Sequence, residues 1–209
     1  MRMTQTFPNG TTLYWTDGSD GGGTTQYADF TDILSNSTKV YNRGLEWCAG
    51  LGAIGFSIMD IKKCNTFAFM DLYSIALDDV KFTSEANNIT DRVTTYQCDE
   101  VNKIPKHEKF DLIVANPPHC FNPFPGDNID HAIRLVVDQD WKIHKEFFNN
   151  ITSYLLPDAD IFLSETGIYQ EHIQLAKQNG LKFKGTLPAP ALCKDAGDTS
   201  IIMHYKYET

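Results

Sequence analysis

The 209-residue sequence predicts an α/β protein built on an open, doubly wound parallel sheet with helices on both faces. Three observations support this fold class. Strand-like and helix-like segments alternate from about residue 40 onwards. A glycine-rich turn, "AGLG", follows the first of these strands, and a later apolar run, "LIVA", has the composition of a buried parallel strand. Because such sheets bind ligands beyond the carboxyl ends of their strands, we expect the functional residues there.

Hydrophobic spacing assigns the elements in chain order. A helix over "QYADFTDILSN" comes first, after the glycine-rich stretch "TDGSDGGGTTQ". The alternating part is predicted as strand "RGLEWC", helix "AIGFSIMDIKK", strand "NTFAFMD", helix "YSIALDDVKFT", and strands "RVTTYQC" and "FDLIVAN". Residues 130–155 are predicted to be mostly helical. Strand "ADIFLSE", helix "YQEHIQLAKQNG" with a glycine stop, and the closing strands "LKFKGTL" and "TSIIMHYKYE" complete the fold.

Composition is that of a soluble globular protein of one domain. Hydrophobic residues make up 42% of the chain and charged residues 22%, and the length allows a substantial core. The first residues have no apolar segment of signal-peptide length, and no stretch approaches the roughly 20 apolar residues that span a bilayer. We therefore expect a cytoplasmic protein without a membrane partner.

Cysteine usage and charge argue against two kinds of ligand. No C-x-x-C pair occurs, so free thiols are expected, zinc is disfavoured and no metal site is predicted. The net charge is −9 and no Lys/Arg cluster stands out, which disfavours a large surface that tracks nucleic-acid phosphates. The five cysteines are Cys48, Cys64, Cys98, Cys120 and Cys193.

A glycine loop opens the helix after the first strand of the alternating part. Gly50, Gly52 and Gly55 form a G-x-G-x-x-G pattern, and Asp71 ends the next strand. Glycines permit a tight turn and a close approach of backbone to a ligand, and a strand-end carboxylate can accept hydrogen bonds from ribose hydroxyls. The alternative is a strand-to-helix turn without a ligand, with Asp71 as the N-cap of the following helix.

Two further carboxylates lie on neighbouring strands. Glu46 is on the first strand and Asp99 ends the third, so three acids converge on one crevice, although Asp99 alone could be an ordinary loop acid. A nicotinamide cofactor or S-adenosylmethionine would both use such a crevice. A nicotinamide enzyme also needs a substrate domain, for which the roughly 90 residues after Asn116 leave little room.

The fourth strand ends in "NPPH", an unusual termination. Pro117 has a fixed φ, and Pro118 forces residue 117 into an extended conformation. The Asn116 side chain and the Pro117 carbonyl therefore form two stiff acceptors that suit a planar amino group. If both of its N–H bonds are held, the nitrogen can turn its lone pair towards an electrophilic methyl group, which is catalysis by positioning and preorganised dipoles. The alternative is that Asn116 merely caps the strand.

The combination of "EWCAGLGAIG", "FMD" and "NPPH" resembles the class I S-adenosylmethionine-dependent methyltransferases that modify amide or exocyclic nitrogens. The resemblance covers about residues 40 to 165 and is nearest to the methyltransferase small domain group, which includes the release-factor glutamine methyltransferases. It implies S-adenosylmethionine as cofactor and a Rossmann-like, seven-stranded, mostly parallel sheet with an antiparallel last strand. It also implies an N-terminal segment, residues 1–39, that packs over the cofactor site, followed by a methyltransferase domain over residues 40–209.

The resemblance also assigns residue roles. It implies catalytic roles for Asn116, Pro117 and His119, and substrate contacts for Pro118, His119 and Phe121. The residues implied to bind the cofactor are Glu46, Cys48, Gly50, Gly52, Asp71, Leu72, Asp99 and Asn116.

Three departures from the family pattern bear on the acceptor. Cys48 stands where the family most often has glycine, Glu46 replaces an aspartate, and His119 replaces an aromatic residue. The leading hypothesis is an N-methyltransferase with a protein side-chain amide or small amine as acceptor. A nucleic-acid base, disfavoured by the net charge, is the second hypothesis. The third is a catalytically silent module that binds S-adenosylmethionine, and a nicotinamide-dependent oxidoreductase would leave "NPPH" unexplained.

Overall fold

The computed structural model describes residues 2–17, 25–119, 137–191 and 200–208. A seven-stranded sheet forms the centre of the molecule, and a two-stranded hairpin lies outside it. The hairpin strands are β1 (Arg2–Thr6) and β2 (Thr12–Thr16), and the sheet strands are β3 (Tyr41–Trp47), β4 (Cys64–Asp71), β5 (Val93–Gln97), β6 (Phe110–Ala115), β7 (Leu155–Glu165), β8 (Leu181–Pro188) and β9 (Ile201–Tyr207). The helices are α1 (Tyr27–Ser35), α2 (Ala53–Asp60), α3 (Ser74–Ala86), α4 (Lys142–Asn150) and α5 (Gln170–Gln178).

The sheet confirms the predicted fold class. Its strand order is β5-β4-β3-β6-β7-β9-β8. The neighbours from β5 to β7 pair in parallel, whereas β9 runs antiparallel to both β7 and β8. The order reverses between β3 and β6, which is where an open α/β sheet leaves a crevice for a ligand.

Each face of the sheet has its own core, because alternate residues of a strand point to opposite sides. On β4, Phe67 and Phe69 pack with the hairpin and α1 to α3, while Ala68 and Met70 pack with α4 and α5. All four side chains are buried. The near-continuous apolar runs of β4 and β6 follow from this burial on two faces.

The N-terminal hairpin was not predicted from the sequence. Strand β2 runs along α3, and backbone N–H groups of Thr12, Tyr14 and Thr16 donate to side chains of that helix and of its C-cap residue, Asn87, at 2.7 to 3.0 Å. The hairpin thus packs against α3, and Phe7, Leu13 and Trp15 join the core on that face. The division of the chain into a covering segment and a methyltransferase domain stays a prediction.

The prediction that residues 130–155 are mostly helical is confirmed in its described part, but the helical region is divided into three pieces. Residues Gln139–Trp141 form a 3₁₀ turn in which Asp140 and Trp141 both have a φ of 55°, and regular helix extends only over Lys142–Asn150. A second 3₁₀ turn, Ile151–Tyr154, leads into β7. The apolar residues of these pieces pack into one core, so their spacing in the sequence resembles that of a single helix.

The sequence predicted free thiols and no membrane-spanning segment. Cys48, Cys64 and Cys98 are free thiols, and Cys120 and Cys193 lie outside the described residues. In the described ranges, no helix has both the length and the apolar character needed to cross a bilayer.

Candidate active site

The glycine loop between β3 and α2 has the backbone conformation that its residue types favour. Gly50 and Gly52 have φ values of +51° and +80°, in the left-handed region. A Cβ at Gly52 would lie 2.9 Å from the Phe69 ring, whereas a Cβ at Gly50 would have no described atom within 4 Å. The loop is therefore packed against the sheet at Gly52 and open at Gly50.

Glu46 holds the start of α2. Its carboxylate accepts the backbone N–H groups of Gly55 at 2.6 Å and Ile54 at 3.3 Å, and its side chain is buried. Burial raises the pKa of Glu46 to about 8, although the two backbone N–H groups act in the opposite direction. A Cβ at Gly55 would lie 2.8 Å from this carboxylate, so the glycine is required there.

Asp71 joins the glycine loop to the end of β4. Its carboxylate accepts the backbone N–H of Gly50 at 2.8 Å and that of Tyr73 at 2.9 Å. Burial raises the pKa of Asp71, and these N–H groups oppose the shift. The N-cap of α3 is Tyr73, so the alternative that Asp71 is the N-cap is wrong. The next residue, Leu72, exposes about half of its surface beside this turn.

Asp99 lies in the turn after β5, next to the Asp71 turn. The backbone N–H of Cys98 donates to the Asp71 carbonyl at 3.0 Å, which joins the two turns. The Asp99 side chain is 52% exposed and pairs with Lys103, whose hydrogen bond lowers the pKa of Asp99. The acid is thus open to solvent at the rim of the crevice.

The "NPPH" turn follows β6 on the other side of β3. Ala115 pairs with Trp47, so Asn116 leaves the sheet level with Cys48 at the start of the glycine loop. The Asn116 Nδ2 group donates to Gln26 Oε1. Its Oδ1 atom is buried and has no hydrogen-bond partner among the described residues.

His119 ends the described part of this turn. Its Nδ1 atom is buried without a described hydrogen-bond partner. Burial lowers the pKa of His119 and the charge of His144 lowers it further, while Glu165 and the Pro117 carbonyl act against the shift. The imidazole is therefore neutral at neutral pH. Phe121, predicted to contact the substrate, lies outside the described residues.

The predicted residues thus meet at one edge of the sheet. Hydrogen bonds connect Glu46, the glycine loop and Asp71, and the strand register brings Asn116 beside them. The sequence model of the family described as the methyltransferase small domain matches residues 29–135, just over half of the chain. The chain belongs to the methyltransferase small domain family.

Two relatives illustrate this family membership. This chain is 35% identical to the release factor glutamine methyltransferase of Clostridium acetobutylicum over 80 residues, which are 38% of this chain. It is 27% identical over 148 residues, 67% of this chain, to a bifunctional methyltransferase of Rickettsia conorii. The matched regions span 28% of the length of each of these two relatives.

The fold is also that of a solved methyltransferase. The crystal structure of the tRNA m1G37 methyltransferase of M. jannaschii matches with a TM-score of 0.68 and 10% sequence identity, over 100% of this chain and 57% of that one. At this identity the likeness concerns the fold alone.

The residues of the crevice fit S-adenosylmethionine. The space beside Gly50 leaves room for a ligand next to the backbone, and the exposed Asp99 offers a carboxylate at the rim of the crevice. The buried Asn116 Oδ1 atom has no partner among the described residues and follows the strand position that pairs with Trp47. Glu46 and Asp71 each already accept two backbone N–H groups, so their contacts with the cofactor stay predictions, as do the other individual roles.

A cluster that was not predicted from the sequence lies beside this crevice. Glu165 ends β7, and His144 Nε2 lies 2.9 Å from its Oε1 atom. Burial acts to lower the pKa of His144, but the charges of Glu165 and Asp138 outweigh it and raise the pKa. Burial acts to raise the pKa of Glu165, but His144 and His172 outweigh it and lower this pKa. Only the strand-end position of Glu165 was a usable signal, because the histidines are on separate helices without a recognisable spacing.

Proposed function

We propose that the enzyme methylates a nitrogen atom of an amide or exocyclic amino group, and that a protein side-chain amide or a small amine is its acceptor. The observation that carries this proposal is the buried Oδ1 atom of Asn116, for which the described residues provide no hydrogen-bond partner. Buried hydrogen-bond acceptors almost always have a donor in native structures. An N–H group of the substrate that receives the methyl group can be the donor for this oxygen.

The turn residues would position the nitrogen. The φ of Pro117 is fixed by its ring, and neither proline has an N–H that could compete for the acceptor. Asn116 and the Pro117 carbonyl then hold the N–H bonds and orient the lone pair. When bound, S-adenosylmethionine supplies a methyl group activated by a sulfonium centre. The neutral His119 imidazole beside this turn can accept the proton that the methylated nitrogen releases.

The acceptor class rests on charge and on one relative. The net charge of −9 disfavours a polyanionic substrate, and the Clostridium acetobutylicum relative is named for methylation of a release-factor glutamine, whose side chain is an amide. A nucleic-acid base is the second candidate, since the M. jannaschii structure of the same fold is a tRNA methyltransferase.

The experiment compares Asn116→Ala with Asn116→Asp in methyl transfer from isotopically labelled S-adenosylmethionine. Acceptors are a glutamine-containing peptide, a set of small amines, and transfer RNA. We expect Asn116→Ala to bind the cofactor with parental affinity while turnover falls by about a hundredfold or more, the cost of losing one preorganised contact to a transition state. Asn116→Asp keeps an acceptor oxygen and should retain more activity than the alanine variant.

A control addresses the contact between Asn116 and the N-terminal segment. Gln26→Ala removes the same hydrogen bond but keeps Asn116 Oδ1, so most of the turnover should remain. Parental turnover in Asn116→Ala would contradict the catalytic role of Asn116. Labelled methyl groups recovered only on oxygen or carbon atoms would contradict N-methylation, and labelling of transfer RNA alone would favour the second candidate.

A further inference from the structure

Three buried side chains from three elements converge at the carboxyl end of β7. They are His144 of α4, Glu165, the last residue of β7, and His172 of α5. Their ligand-type atoms, one from each residue, all lie within 4.8 Å of one another, and the exposed fractions of the residues are 0%, 0% and 2%. Two imidazoles and a carboxylate are the donor types that zinc and iron ions prefer in proteins.

The hydrogen bonding of this cluster is incomplete. His144 Nε2 and His172 Nδ1 lie 2.9 Å and 3.5 Å from the same oxygen, Glu165 Oε1, but neither contact has hydrogen-bond geometry. Glu165 Oε2 and His172 Nε2 have no hydrogen-bond partner among the described residues either. Leaving buried polar atoms unpaired is costly, and the described residues provide no further partner for these three side chains, so one bound ion could satisfy them together.

A carboxylate behind His144 orients its ring towards the cluster. His144 Nδ1 lies 2.7 Å from Asp138 Oδ2, and Asp138 is itself held by the backbone N–H groups of Ile143 and His144, at 2.9 and 3.0 Å. This contact fixes the ring with its Nε2 atom facing Glu165, and a metal ion that binds there replaces the proton on Nε2. Buried carboxylates are the usual outer partners of metal-binding histidines.

The spacing suits one ion after a small contraction. Ligand atoms about 2.0 to 2.2 Å from a common ion lie roughly 3 to 4 Å apart. The His144–Glu165 contact is already within that range at 2.9 Å, and the 4.8 Å limit on the whole set leaves only short movements. The two imidazole rings are nearly parallel, with centroids 4.4 Å apart, so one ring must also turn for both ring nitrogens to point at the same ion.

The cluster lies beside the acceptor side of the active site. Strands β6 and β7 pair in parallel with Ala115 opposite Leu163, so the "NPPH" turn and Glu165 leave the sheet at the same edge. The charges of Glu165 and His144 both act on the His119 imidazole, whose Nδ1 atom also has no hydrogen-bond partner in the described part of the chain.

We propose that His144, Glu165 and His172 bind one divalent transition-metal ion, zinc or iron(II), with a further coordination position towards His119. Three protein ligands with an additional position is the arrangement of metal sites that also take a water molecule or a substrate atom. The site was not expected from the cysteine pattern, because it contains no cysteine. It is independent of which nitrogen the enzyme methylates.

The test titrates the metal-depleted full-length protein with Co²⁺ and then with Zn²⁺. We expect one equivalent of Co²⁺ to give a visible absorption band, which Zn²⁺ then removes by displacement. Glu165→Gln and His172→Gln should abolish the band, and Asp138→Asn should weaken Co²⁺ binding by about 10- to 100-fold, as loss of an outer partner does. Elemental analysis of protein purified without chelators distinguishes zinc from iron.

His204→Gln is the matched control. His204 also contacts a carboxylate, Asp160 Oδ1 at 2.9 Å, but lies outside the cluster, so this variant should bind Co²⁺ as the parent does. Circular dichroism and titration with S-adenosylmethionine report whether each variant is folded. Absence of the band in the folded parent would overturn the proposal, as would its persistence in Glu165→Gln or its loss in His204→Gln.

Discussion

At the scale of single residues, Cys48 has a backbone conformation that favours glycine. Its φ of 54° lies in the left-handed region, where a Cβ is disfavoured and glycine is favoured. The family most often has glycine at this place, which matches the conformation. Cys48 therefore carries backbone strain immediately before the glycine loop.

We predict that Cys48→Gly is more stable than Cys48→Ala by about 1 kcal/mol, the cost of a non-glycine residue in this conformation. Both variants remove the thiol, so their difference isolates the effect of the Cβ. Ordinarily alanine is the more stable of the two, because glycine loses more conformational freedom on folding. Urea unfolding measures both free energies, and an alanine variant at least as stable as the glycine variant would refute the strain.

The site residues that the sequence revealed are those with a local pattern. Gly50, Gly52 and Asn116 stand in motifs whose residue types follow from backbone geometry, so they could be recognised from the sequence alone. The partner of Asp71 could not be identified in that way, because its bond to the Gly50 N–H depends on the approach of two loops. His144 and His172 gave no signal, since only the packing of α4 and α5 brings them to Glu165.

At the scale of elements, a row of polar side chains on α3 fixes the N-terminal hairpin. The backbone N–H groups of Thr12, Tyr14 and Thr16 donate to Asn87 Oδ1, Thr83 Oγ1 and Asp79 Oδ2. Alternate strand residues and every fourth helix residue repeat at nearly the same distance, about 6 to 7 Å. The helix thus satisfies a strand edge that would otherwise be open to another chain.

Thr83→Val should lower the free energy of unfolding by about 1 to 3 kcal/mol, because valine keeps the shape but leaves the Tyr14 N–H unpaired. Thr83 is fully buried and also donates to the Tyr14 carbonyl at 3.1 Å. Thr38→Val, at an exposed position, is the control and should change stability little. Equal melting temperatures of the Thr83 and Thr38 variants would show that this row of hydrogen bonds contributes nothing.

Elements with a strong hydrophobic period were predicted well, and those held by polar or tertiary contacts were not. The strands of the sheet and α2, α3 and α5 differ from their predicted ranges mainly at their ends. The hairpin was missed because its outer edge depends on α3, which is more than sixty residues away. The 3₁₀ turns around α4 were missed because Trp141 and Ile151 are buried in the same core as the helix.

At the scale of the whole molecule, Asp160 connects distant parts of the sheet. It lies on β7 and accepts hydrogen bonds from Lys39 at 2.6 Å and from the Tyr41 hydroxyl at 3.0 Å, and it contacts His204 of β9 at 2.9 Å. Burial alone would raise the pKa of Asp160, but these partners lower it to about 2.

This shift predicts a loss of stability in acid. A carboxyl group whose pKa is lower in the folded state stabilises the protein above its unfolded pKa of about 3.9, and this stability is lost as pH falls through the folded pKa. We expect Asp160→Asn to reduce the free energy of unfolding at neutral pH by about 1 to 2 kcal/mol, after discounting the solvent screening of Lys39. The variant should also show less dependence on pH between about 4 and 2.

Denaturant unfolding at a series of pH values tests this prediction. Glu208→Gln is the control, since Glu208 also pairs with lysines, Lys182 and Lys184, but at an exposed site where ion pairs contribute little. Identical acid sensitivity in the parent and in Asp160→Asn would show that other carboxyl groups govern acid unfolding.

The position of β9 between β7 and β8 has a consequence for the synthesis of the protein. Strand β8 leaves the ribosome before β9, yet β9 is the strand that it pairs with in the sheet. It therefore cannot pair in the sheet until β9 has been synthesised. Until that late step the edge of β7, including Ile161 and Leu163, is open to other nascent chains, although both side chains are fully buried in the finished protein. Slower translation through residues 189–200 would lengthen this interval, whereas a chaperone that shields β7 would protect it.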